Sequence, residues 1–92
     1  MSSTFGSGVF SPQSVPQAAM AAYRAGSEAA SAQDFSRAIR YYSDALAFAG
    51  TDAVFQARTY EYRGQCYWLT GDFQAAEMDY PAALATEDEV NQ

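Results

Sequence analysis

Cys66 is the only thiol in this chain, and no histidine stands anywhere to activate it. A thiolate nucleophile needs a nearby base or cation, so Cys66 reads as a half-buried structural cysteine on a helix. A single cysteine forms no intramolecular disulfide, and a reducing, cytoplasmic setting is the expectation. Without histidine the commonest general base and metal ligand is missing. Gly6-Ser7-Gly8 is too short to cradle a phosphate and carries no lysine. Asp34 and Asp72 read as helix caps, and Glu87, Asp88 and Glu89 as a solvated charge run. The expectation is a non-enzyme, with no catalytic residue, no metal and no cofactor.

The charged residues point away from two partner classes. All five cations are arginines, at positions 24, 37, 40, 58 and 63, and the formal net charge is −6. Nucleic acid demands phosphate neutralisation by a basic stripe, and none is present. An anionic membrane surface is disfavoured for the same reason. No stretch reaches the roughly 18 apolar residues of a membrane span.

What must position any site is a repeat. The run Asp34-Phe35-Ser36-Arg37-Ala38-Ile39-Arg40-Tyr41-Tyr42-Ser43-Asp44-Ala45-Leu46-Ala47 returns 38 residues later, from Asp72 to Ala85. Seven of the fourteen positions are identical: Asp, Phe, Ala, Tyr, Ala, Leu and Ala. Most of these matches fall on one face of an α-helix. A period of this size means one supersecondary unit built twice and stacked. With few long aliphatic residues, the core must rest on alanine contacts and aromatic wedges.

Four helices follow from the pattern. Residues 1–13 read as a flexible Ser/Gly-rich leader. Ser14 with Gln17 resembles a capping box and Pro16 suits a first turn, so the first helix is expected over about Val15 to Ser31. Its inner stripe is read as Ala18, Ala22, Ala25, Gly26 and Ala29. Asp34 caps a second helix to about Ala49, which Gly50 ends. Thr51 or Asp52 caps a third, to Leu69, with Val54, Phe55, Tyr60, Tyr67, Trp68 and Leu69 as its apolar positions. After the Thr70-Gly71 turn, Asp72 caps a fourth, from Phe73 to about Thr86. Pro81 is expected to kink this helix, because it removes one backbone donor. Residues 89–92 are expected to fray.

These residues resemble the tetratricopeptide repeat, a helix-turn-helix unit of about 34 residues with small residues and an aromatic at set places. Gly26, Ala38, Tyr42 and Ala45 stand at such places in a first unit, over about residues 15–50. Gly64, Tyr67, Gly71, Ala76, Tyr80 and Ala83 do so in a second, over about 51–88. The spacing of 38, Ala22 and Ala29 at positions that favour larger residues, and Arg63 in place of leucine are departures. The resemblance implies an all-α domain over residues 14–88, with two antiparallel hairpins stacked in a right-handed superhelical arrangement.

It also implies a protein–protein interaction module of scaffold or co-chaperone type. Such domains bind a peptide or helix on the concave surface of their first helices. Carried over by position, that groove is Met20, Tyr23, Arg24 and Ser27, with Arg58, Glu61, Tyr62, Gln65 and Trp68. Tyrosine, tryptophan and arginine are common binding hot spots. Trp68 has a competing reading as an interhelix core residue. The lysine and asparagine clamp with which some family members hold a carboxylate has no counterpart, since Tyr23, Ser27 and Tyr62 occupy those positions. Arg24 and Arg58 are the cations left to attract an anionic group. The alternative function is self-association. Two repeats are fewer than a stable stack usually needs, and Phe73, Tyr80 and Leu84 would leave an apolar side for a homodimer.

Overall fold

The computed structural model describes residues 15–91, and side chains through residue 85. The leader and the Ser14 half of the capping box lie outside them. Four helices and no strand are present among the described residues: α1 (Gln17–Ser31), α2 (Phe35–Ala47), α3 (Ala53–Leu69) and α4 (Phe73–Asn91). Packing follows chain order, α1 on α2, α2 on α3 and α3 on α4.

Each boundary has a local cause. Pro16 stands just before α1 rather than inside its first turn, and its carbonyl accepts the Met20 amide at 3.1 Å. Three aspartates cap as the sequence suggested. The Asp34 carboxylate accepts from Arg37 N, Asp52 from Phe55 N at 2.9 Å, and Asp72 from Ala75 N. Each satisfies an amide that has no intrahelical partner.

The turns that close the two hairpins are one motif used twice. Asp34 N reaches Ala29 O and Gln33 N reaches Ala30 O; Asp72 N reaches Tyr67 O and Gly71 N reaches Trp68 O. This is the Schellman arrangement, which needs a left-handed residue just beyond the helix. Gly71 supplies it at φ 85°, but the first copy uses Gln33 at φ 63°.

The seams are the other shared feature. Gly26 of α1 lies under the Tyr42 ring of α2, so closely that an added Cβ would sit 2.8 Å from two ring carbons. One period on, Gly64 of α3 faces Tyr80 of α4, where an added Cβ would meet the ring at 3.2 Å. Ala38, Ala45, Ala76 and Ala83 are buried beside these pairs. Absent side chains let the helices approach, and the tyrosines fill what remains.

Several expectations need correction. The buried edge of α1 is Ala19, Gly26 and Ala29, whereas Ala18 is exposed. The second helix stops at Ala47, and Ala49 is buried in the linker beyond it. Trp68 and Leu69, two of the apolar positions of α3, are exposed, so Trp68 does not take its core reading. The fourth helix runs on through Pro81, past Thr86, to Asn91.

Candidate functional site

Three tyrosines and a phenylalanine tie α1, α2 and α3 together. Tyr23 of α1 meets Tyr42 at 5.8 Å, Phe55 at 5.4 Å and Tyr62 at 6.1 Å between ring centres. Tyr42 and Tyr62 stack at 6.2 Å with planes 23° apart. Such pairs contribute about 1 kcal/mol each beyond area burial. The Ser27 and Tyr42 hydroxyls share a hydrogen bond of 3.1 Å, which satisfies the buried phenol.

Beside this cluster the surface opens into a cleft of about 430 Å³. Tyr23 and Ser27 form one wall, Tyr62 and Gln65 the other, and Tyr42 and Cys66 the floor. Four of the anticipated groove residues are thus brought together, from α1 and α3. Tyr23 is only partly exposed, because its ring also serves the core.

The other anticipated residues do not line the cleft. Met20 packs against the core with Phe55 and Val15. Arg24 is exposed on α1, and Glu61 is half-buried. Arg58 is half-buried and close enough to favour ionisation of Tyr23. Trp68 stands 56% exposed at the tip of the second hairpin, its ring 4.5 Å from that of Phe73. It takes neither the groove nor the core position. Tyr42 and Phe35 of α2 were not foreseen as lining, since the resemblance assigns the groove to the first helix of each unit. The signal that could have found them is the repeat, in which Phe35 and Tyr42 recur as Phe73 and Tyr80.

The residues that line the cleft carry no formal charge. Burial raises the Tyr23 phenol well above its ordinary value of 10, helped by neighbouring Tyr62 and Tyr42. Burial also raises Tyr42, partly offset by its bond to Ser27. The buried Cys66 thiol is pushed up for the same reason, which keeps it protonated and unreactive. Among the described residues no group of three or more acidic, cysteine or histidine side chains is placed to hold a metal ion. No described helix is long and apolar enough to cross a membrane.

A second constellation was missed altogether. Arg63 of α3 grips Asp79 of α4 with two bonds of 2.7 Å, Nε to Oδ2 and Nη2 to Oδ1. Its Nη1 donates to Ser43 of α2 at 3.0 Å, and Ser43 donates to Ile39 O. Tyr60 and Tyr67 flank the guanidinium, each 5.6 Å from ring centre to Cζ. The Asp79 side chain is 5% exposed. Hydrogen bonding to Asp79 raises the arginine's affinity for its proton against the cost of burial. This is a structural clamp across three helices.

The chain matches no family model, no curated protein and no solved structure.

Proposed function

We propose that this chain is a tetratricopeptide-like binding module that holds a peptide segment of a protein partner in the α1–α3 cleft. The observation that supports it is the convergence of Tyr23, Ser27, Tyr62 and Gln65 on one open cleft with a packed aromatic floor. Rigid aromatics give contact area at low entropic cost, and the hydroxyls and the Gln65 amide fix orientation. Because the lining carries no formal charge and burial holds the Tyr23 and Tyr42 phenols protonated, it suits an uncharged, partly apolar segment better than a carboxylate terminus. Arg58 can favour an acidic residue at the edge of that segment. A scaffold or co-chaperone-like role in the cytoplasm is the setting this reading suits.

Selection of displayed random peptides on the wild type, with a Gln65→Trp variant as the filled-cleft control, tests this. Enriched peptides should lose at least about tenfold in affinity for the variant. Equal binding to both, or no enrichment, would reject the cleft. An unchanged affinity in Arg58→Ala would remove the arginine from the site while leaving the cleft in place.

A further inference from the structure

The repeat makes α4 the counterpart of α2, and the two helices differ in what covers one stripe. On α2 that stripe is Phe35, Ile39, Ser43 and Leu46. All four are half-buried, with α3 packed against the helix. Ser43 bonds to Arg63 of α3, while Phe35 and Ile39 pack against the cluster that contains Cys66 of α3. One period later the same stripe on α4 reads Phe73, Glu77, Pro81 and Leu84. Every one of these is exposed, Phe73 by 50% and Leu84 by 61%. The geometry that receives a helix on α2 is thus repeated on α4, where no described helix packs on the stripe as α3 packs on α2.

The charges decide what fits. The residues of α3 that meet α2 include Phe55, Tyr62 and Cys66. Their counterparts on α1 are Gln17, Arg24 and Glu28, all exposed. A second copy docking head to tail would therefore desolvate polar groups and carry Glu28 towards Glu77. Two α4 stripes placed face to face would oppose Glu77 with an acidic helix that has no basic residue. The face-to-face pairing sets acid against acid, and the head-to-tail one buries Gln17, Arg24 and Glu28 where α3 presents Phe55, Tyr62 and Cys66. A helix with apolar residues for Phe73 and Leu84, and a cation opposite Glu77, meets no such penalty.

We propose that the Phe73–Glu77–Pro81–Leu84 stripe is a docking surface for an amphipathic, basic helix of a partner polypeptide, packed on α4 as α3 packs on α2. This surface is separate from the cleft and does not depend on it. The mode is a helix laid along an apolar ridge, with i, i+4 and i+7 contacts.

The α3 segment itself provides the probe. A lactam-bridged helical peptide of Ala53–Leu69 carrying Cys66→Lys is titrated into the full chain by fluorescence anisotropy. Binding to the wild type should weaken more than about tenfold in Leu84→Asp, an exposed change checked for retained helicity by circular dichroism. It should weaken in Glu77→Lys and recover when the peptide carries Cys66→Glu instead. Gln65→Trp should leave it unchanged. No measurable binding, equal affinity for Leu84→Asp, or loss in Gln65→Trp would each overturn the proposal. So would a wild-type dimer at low micromolar concentration that Leu84→Asp returns to monomer, because a second copy would then occupy the stripe.

Discussion

At the positions where the first hairpin has Ala25 and Tyr41, the second has Arg63 and Asp79. The backbone turns, the aspartate caps of α2 and α4 and the glycine–tyrosine seams are otherwise shared. One hairpin closes with apolar and aromatic groups, whereas the other encloses an ion pair bonded onward to α2. The same fold thus tolerates two solutions at one seam, but they differ in fragility. An apolar contact weakens gradually when trimmed. A buried ion pair leaves an uncompensated charge when either partner is removed.

The largest expected effect tests that fragility. Asp79→Ala strands the Arg63 guanidinium and should cost about 3 kcal/mol in chemical denaturation. Replacing the pair with its first-hairpin counterparts, Arg63→Ala with Asp79→Tyr, should recover most of that loss. If the double variant is no more stable than Asp79→Ala, the seams are not interchangeable.

The glycines come next. Gly26→Ala drives a methyl into the Tyr42 ring, which is buried and held by Ser27, and should cost about 2 kcal/mol. Gly64→Ala meets a less crowded, partly exposed Tyr80. The better helix propensity of alanine offsets part of its strain. Gly64→Ala should therefore be the milder change when the two are melted side by side. The reverse order would mean that Tyr42 yields and Tyr80 does not.

Alkaline pH should find the aromatic cluster. Tyr23 and Tyr42 bind their protons more tightly when folded than at the ordinary value of 10. The unfolded chain therefore releases these protons first. The stability this supplies is full below about pH 10 and falls as pH rises above it. Tyr23→Phe should flatten that decline in melts taken across the range.

The smallest effect concerns the two turns. Gln33→Gly gives the first turn the residue of the second and should stabilise by about 0.5–1 kcal/mol, while Gly71→Gln should cost a similar amount. Equal and opposite shifts in thermal midpoint would confirm that the turns are equivalent.

The sequence declared much of this in its repeat. Asp34 and Asp72 recur because both must cap, and Tyr42 and Tyr80 because both must cover a glycine. The inner stripe of α1 was misread because alanines at 18, 19, 21, 22, 25, 29 and 30 offer several apolar stripes, and composition does not choose between them. Only the Gly26–Tyr42 contact sets the phase. Arg63 looked like a lapse from a leucine. That Asp79 departs from Tyr41 in the same unit was the clue, since two opposite charges entering one seam together imply a pair. Within the cleft, Tyr23, Ser27, Tyr62 and Gln65 are positions that the repeat resemblance carried over to the groove. Trp68 was carried over too, but its place depends on a stacking partner across the turn, Phe73.

One helix pair is built twice, each around a tyrosine laid on a glycine. Nuclear Overhauser spectra read this directly from the glycine α-protons. Strong cross-peaks are expected from Gly26 to the Tyr42 ring and from Gly64 to the Tyr80 ring, with both glycine signals shifted upfield by the ring currents. Cross-peaks at Gly26 without any at Gly64, or at neither, would contradict it.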